Sequence, residues 1–149
     1  MSEIHPEEMF DAKLLRTLAD DARKRGATEL ANKALRQLCQ IQVSTDFTGI
    51  EREFWVVIAA IEEIYARMYG RRVRANRTRN KVRRVGYLKT LEDWAVSNKP
   101  TAGFRYLIDS GMHELTGEAV VVRNPTSFSP RAVATARQRL ADSGVVLAE

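Results

Sequence analysis

Residues 49–70 read GIEREFWVVIAAIEEIYARMYG, and this stretch decides the fold. Its large apolar side chains recur every three or four residues, which is the spacing of one face of an α-helix. Thr48 and Glu51 have the capping-box spacing that favours a helix start, and Gly70 is a typical C-terminal stop. The stretch therefore predicts a long central helix over residues 48–70. Its apolar stripe consists of Phe54, Val57, Ile58, Ile61, Ile64, Tyr65 and Met68.

Residues 1–43 precede this helix and contain two shorter helical patterns. The first begins near Pro6, which suits a first helical turn, and ends at Gly26. The second begins at Thr28, a residue type that caps helix N-termini. The predicted inward faces are Phe10, Leu14, Leu18 and Ala22 in the first helix and Leu30, Ala34, Leu38 and Ile41 in the second. The short link between them predicts an antiparallel helical hairpin, packed on the central helix.

Residues 90–144 carry signals for a cluster of short helices. The predicted helix starts are Thr90, Thr101, Thr116 and Ser129-Pro130. Asn98-Lys99-Pro100 marks a break, and the β-branched run Ala119–Val122 leaves a strand as the alternative to one helix. The complete pattern predicts an all-α protein, with seven or eight helices in a single compact domain over residues 1–149.

Positive charge is concentrated in one segment, residues 67–89, which we call the basic segment. The chain has 24 basic and 19 acidic residues, for a net charge of +5. Residues 64–91 carry ten basic and no acidic side chains, so the rest of the chain is net negative. Clustering of this kind attracts polyanions, whereas scattered lysines mainly confer solubility.

The basic segment, and above all residues 71–89, predicts a phosphate-binding surface. Its predicted nucleic-acid contacts are Arg71, Arg72, Arg74, Arg77, Arg79, Lys81, Arg83, Arg84 and Lys89. Most are arginines, whose guanidinium group forms bidentate contacts with phosphate and stacks on bases. Asn76 is the predicted cap of a short helix over residues 77–85 that ends at Gly86. On that helix Arg77, Lys81 and Arg84 share one face.

The surroundings of these residues favour backbone contacts over base reading. Tyr69 and Tyr87 flank the run, where each is suited either to stack on unpaired bases or to pack in the core. A helix-turn-helix over residues 82–95 is disfavoured, because Glu92 and Asp93 would begin its recognition helix and face the phosphate-lined groove.

These features favour a non-enzymatic module that binds DNA or RNA, with a regulatory role and a homodimer left open. The alternative is a protein-interaction or self-assembly module whose basic surface meets acidic partners. The third hypothesis is a metal-dependent nuclease, for which the candidate residues are Asp109, His113, Glu114 and Glu118. The sequence has no phosphate-binding glycine loop, nucleophile elbow or zinc-ligand spacing. No catalytic residue, metal ligand or cofactor is therefore predicted.

The predicted compartment is the cytoplasm. Cys39 has no second cysteine to pair with, and its position favours a small core residue. The N-terminal residues lack the apolar core of a signal peptide. The longest apolar stretches fall far short of the roughly 20 residues that span a bilayer, so no membrane partner is expected.

One block of the sequence resembles a family of small uncharacterised bacterial proteins. The matching residues are Gly70-Arg71-Arg72, Arg77-Thr78-Arg79, Gly86, Thr90–Ala95, Gly103-Phe104, Gly111, Glu114-Leu115-Thr116 and Phe128-Ser129 to Leu140. The resemblance covers about residues 50–144 and includes no catalytic motif. It implies a compact domain that contains the basic segment, and it implies no activity.

Overall fold

Helices make up all the regular structure of residues 3–146, the part of the chain that the computed structural model describes. Residues 1–2 and 147–149 of the predicted domain lie outside the described residues. The α-helices are α1 (Ala12–Lys24), α2 (Thr28–Ile41), α3 (Gly49–Tyr69), α4 (Asn76–Val96), α5 (Phe104–Asp109), α6 (Gly117–Arg123) and α7 (Pro130–Asp142). The all-α prediction is confirmed. The described residues divide into two compact units, 3–47 and 48–146.

The first unit contains the predicted hairpin, with α1 packed against α2. Its first helix starts later than predicted, because Asp11 caps α1 by accepting a 3.0 Å hydrogen bond from the Leu14 N–H. The predicted inward face of the first helix was wrong at Phe10, which precedes α1, and at Leu14; these side chains are 78% and 57% exposed. The buried residues of the two helices are Leu15, Ala19, Ala22, Ala31, Ala34, Leu35, Leu38 and Cys39. Small alanines in both helices allow a close approach that larger side chains would prevent.

In the second unit α3 supplies the centre of the core, as predicted. Phe54, Ile58 and Ile61 are buried in one apolar cluster, and each contributes about 1.5–3 kcal/mol by its burial. The ring of Phe54 stacks on Trp94 with centroids 5.7 Å apart. The predicted stripe stops short of Met68, which is 63% exposed. The helix ends before Gly70, as predicted, because φ there is +67°, in the left-handed region.

The next helix, α4, is interrupted at Gly86, where the sequence predicted the end of a helix over residues 77–85. Gly86 has φ +86° and ψ 168°, a conformation that is essentially restricted to glycine, so α4 bends there. Helical geometry resumes at Tyr87. The prediction that Thr90 caps a new helix was wrong, because its hydroxyl donates a 2.8 Å hydrogen bond to the Gly86 carbonyl one turn earlier. Asn76 lies inside α4, and Ala75 precedes the helix.

Two later helix starts lie where the sequence predicted them. The hydroxyl of Thr116 accepts a hydrogen bond from the Ala119 N–H, and that of Ser129 accepts one from the Ala132 N–H, both at 3.1 Å. The valine run after Ala119 is helical rather than extended, since it lies in α6. Helices α4, α6 and α7 pack against one another and share one apolar core.

Candidate nucleic-acid interface

The basic segment is anchored to α3 by Glu62. Its carboxylate accepts two hydrogen bonds from the Arg79 guanidinium, at 2.7 and 2.8 Å. It also accepts a 2.8 Å hydrogen bond from the Ala75 N–H, just before α4. The Arg79 guanidinium carbon lies 5.5 Å from the ring centroid of Trp55, within cation–π range. Arg79 therefore serves an internal contact that fixes the start of α4.

The charge state of Glu62 follows from these contacts. Burial, the largest single effect, acts to raise the pKa of Glu62. The hydrogen bonds from Arg79 and the Ala75 N–H, with the charges of Arg79 and Arg74, outweigh burial and bring the pKa below its ordinary value of 4.5. The carboxylate is therefore ionised at neutral pH, and it neutralises the Arg79 charge.

A second carboxylate, Asp93, bridges the bend in α4. Its oxygens lie 2.7 Å from Lys81 Nζ and 3.0 Å from Lys89 Nζ. Lys81 precedes Gly86 and Lys89 follows it, so one carboxylate connects the two halves of the helix. The hydrogen bond from Lys81, followed by that from Lys89, lowers the pKa of Asp93. Lys81 was predicted to share a phosphate-binding face with Arg77. Lys81 has an ion-pair partner in Asp93, whereas Arg77 has none among residues 3–146.

Six of the nine predicted contact residues are exposed arginines. They are Arg71, Arg72 and Arg74 in the connection between α3 and α4, and Arg77, Arg83 and Arg84 on the first half of α4. Arg83 donates a 2.9 Å hydrogen bond to the side-chain oxygen of Asn80, a neutral partner. Within residues 3–146, none of these six arginines forms an ion pair, although the charge of Arg74 acts on Glu62 and lowers the pKa of that carboxyl. We call this set the arginine surface.

The two flanking tyrosines have different surroundings. Tyr69 is 58% exposed and lies two residues before the first arginine of the surface. Tyr87 packs against the core, with its ring centroid 6.4 Å from that of Phe54. Of these two side chains, Tyr69 is therefore the one available to stack on a base.

Asp109 and Glu118, two of the four residues of the nuclease hypothesis, contact different partners. Asp109 is exposed and lies 3.7 Å from Arg105. Glu118 is buried, and its carboxylate binds Thr101 and Arg139. In the part of the chain that the structure describes, no group of three or more His, Cys, Asp or Glu side chains is arranged to hold a metal ion.

A second basic surface, which the sequence analysis did not single out, lies on α7. Arg131, Ala134, Arg137 and Gln138 are exposed along this helix. The available signal was their helical spacing after the Ser129 cap, opposite the buried alanines. The density of charged residues along the sequence does not indicate this face, because it contains few arginines.

Comparisons with known protein families, curated proteins and solved structures found no match to this chain. The resemblance to small bacterial proteins stays a prediction. Among the helices of residues 3–146, none combines the length and apolar character needed to cross a membrane. The case for a function therefore depends on the residues themselves.

Proposed function

We propose that this chain is a non-enzymatic nucleic-acid-binding module whose arginine surface contacts the phosphate backbone. The proposal depends on a difference between two groups of cations in the basic segment. Arg79, Lys81 and Lys89 form ion pairs with Glu62 and Asp93, although 60% of the Lys89 side chain is exposed, whereas the six arginines of the surface have no ion-pair partner among the described residues. The guanidinium fork matches the geometry of phosphate oxygens, so these arginines suit a polyanion.

Preorganisation supports the same function. Glu62 holds the start of α4 against α3, and Asp93 joins the two halves of α4, so the helical part of the basic segment is not a loose tail. A held segment loses less conformational entropy on binding. Repulsion among the arginines is relieved when phosphate groups neutralise them. The proposal includes a reducing cytoplasm, because Cys39 is buried and is the chain's one cysteine.

Fluorescence anisotropy with labelled duplex DNA, single-stranded DNA and RNA tests this proposal. If all six arginines contact phosphates of duplex DNA, log affinity should fall with log salt at a slope of about −5. Replacing Arg77→Ala together with Arg84→Ala should weaken binding to all sequences equally and make the slope shallower by about 2.

The matched control is Lys13→Ala with Lys24→Ala, which removes two exposed charges from α1 and should leave binding almost unchanged. Absence of binding at low salt would sink the proposal. Parental affinity in the Arg77/Arg84 variant would show that the arginine surface is the wrong surface. Polyglutamate that binds as tightly as nucleic acid of equal charge would favour the acidic-partner alternative.

A further inference from the structure

A short helix, a connection and a longer helix follow one another in the second unit. They are α6, residues 124–129 and α7. The second half of α4 completes a three-helix core, because Leu91 and Ala95 belong to the same buried cluster as residues of α6 and α7. The order of these elements is that of a helix-turn-helix with one supporting helix, although the connection has six residues and includes the short 3₁₀ turn Pro125–Ser127, where the usual turn has three or four residues.

The start of α7 is held by α4. The Ser129 N–H and hydroxyl donate hydrogen bonds of 2.9 and 2.5 Å to the two carboxylate oxygens of Glu92. The same hydroxyl caps α7 through the Ala132 N–H. Glu92, which disfavoured a recognition helix over residues 82–95, thus positions the first turn of α7.

The C-terminal half of α7 is held by both neighbouring helices. Arg139 donates a 3.0 Å hydrogen bond to the buried carboxylate of Glu118 on α6. It also donates to the main-chain carbonyls of Trp94 and Ser97 at the end of α4. Contacts at both ends fix α7 and determine which face it turns outward.

The outward face of α7 has the composition of a surface that reads DNA. Arg131, Ala134 and Gln138 lie at spacings of three and four, opposite the buried Ala132, Ala136 and Leu140. The helix has no carboxylate before its last residue, Asp142, which accepts a 2.7 Å hydrogen bond from Gln138. Arginine and glutamine form bidentate contacts with guanine and adenine in the major groove, and alanine permits close approach to the bases.

We propose that α6, residues 124–129 and α7 form a helix-turn-helix that places α7 in the major groove of duplex DNA. Arg131 and Gln138 contact base edges, and Thr135 lies beside them. The inference rests on the proposed function, because it specifies the nucleic acid as duplex DNA and leaves sequence-independent backbone contacts to the arginine surface. The exposed Thr126 and Ser127 of the connection suit phosphate oxygens.

Selection from a randomised duplex library with the full chain tests the inference. The parent should enrich a defined sequence motif. Arg131→Ala with Gln138→Ala should weaken binding to the selected site by about 30-fold or more, since two base contacts are lost. Its affinity for unrelated duplex should fall only a few-fold, in line with the loss of one charge. Arg77→Ala with Arg84→Ala is the contrasting variant, which should weaken binding to both duplexes equally.

The outcomes separate the two proposals. This inference is wrong if the parent binds duplex DNA without enriching a motif, or if the Arg131/Gln138 variant binds the selected motif as tightly as the parent does. Neither result contradicts the proposed function. Absence of binding to any nucleic acid overturns both. Circular dichroism should match the parent, because both substitutions place alanine at exposed helical positions. A variant whose mass in solution falls while its DNA affinity is unchanged would show that α7 is instead a self-association surface.

Discussion

One carboxylate, that of Glu62, fixes the start of α4 through hydrogen bonds to the Arg79 side chain and the Ala75 main chain. The pair is largely shielded from solvent, with 25% of the Arg79 side chain and 16% of the Glu62 side chain exposed. Removing either partner would leave the other desolvated and unpaired, which costs more than the loss of a surface ion pair. Arg79 thus contributes to the stability of the fold, although its positive charge alone would suggest a contact with nucleic acid.

Replacing Glu62→Gln should lower the free energy of unfolding by roughly 1–3 kcal/mol at pH 7, because a charged acceptor is lost. Folding lowers the pKa of Glu62, so its stabilising contribution is present above the ordinary value of 4.5 and is lost as the pH falls through the folded pKa. The difference between parent and variant should therefore shrink in acid. Urea denaturation at neutral pH and at about pH 3 measures it.

The control for this experiment is Glu8→Gln, an exposed carboxylate before α1, which should change stability by less than about 0.5 kcal/mol. A parent-to-variant difference for Glu62→Gln that stays constant from neutral to acid pH would contradict the assigned role of the carboxylate.

Asp93 reduces the net positive charge of the basic segment, because its carboxylate partly neutralises the charges of Lys81 and Lys89. Asp93→Asn should raise affinity for nucleic acid about 3- to 10-fold at low salt, since both lysines become available to phosphates. Asp109→Asn makes the same change of charge at the exposed pair with Arg105 and should have a smaller effect. Equal effects of the two variants, measured by anisotropy, would show that only net charge matters.

At the scale of elements, the bend in α4 depends on one residue. Gly86→Ala should cost about 1–3 kcal/mol, because φ +86° with ψ 168° is essentially closed to other residues. Gly70→Ala is the comparison, since φ +67° with ψ 13° is the left-handed region, where alanine costs about 1 kcal/mol. A Cβ at either position meets no atom within 4 Å, so the difference is conformational. Equal costs in urea denaturation would contradict this account of the bend.

Three helix ends were predictable, whereas the caps predicted at Asn76 and Thr90 were wrong. Gly70, Thr116 and Ser129 end or begin helices as predicted, because capping depends on residues a few positions apart. The face of α1 was wrong at Phe10 and Leu14, because the buried stripe depends on how closely a partner helix approaches.

The candidate interface shows a similar limit. Counting charges locates the basic segment, but it does not tell which cations are paired. Arg79 lies 17 residues from Glu62 in sequence, and only the packing of α4 against α3 brings them together. The bend at Gly86 likewise brings Lys81 to Asp93. Sequence patterns therefore predict where positive charge accumulates, and tertiary contacts decide how much of it faces solvent.

At the scale of the second unit, four acidic side chains connect different elements, and we call these contacts braces. Glu53 binds Arg123 and Asn124, Glu62 binds Arg79, Glu92 binds Ser129, and Glu118 binds Arg139. Each contact joins different elements of the chain. These carboxylates are therefore paired with groups inside the unit. The exposed arginines that lack such partners give the surface of this unit its positive charge.

The strongest of these braces should be the pair between Arg139 and Glu118, because the Glu118 side chain is fully buried. Arg139→Leu leaves that carboxylate without its cation and should cost about 3–5 kcal/mol. Arg123→Leu removes a more exposed pair, with Glu53, and should cost less than about 1 kcal/mol. Adding Glu118→Gln to Arg139→Leu should recover part of the loss, because no buried charge then remains and the amide oxygen still accepts a hydrogen bond from Thr101. Urea denaturation of the four proteins measures these differences, and equal costs for the two arginine variants would mean that burial does not set the strength of the brace.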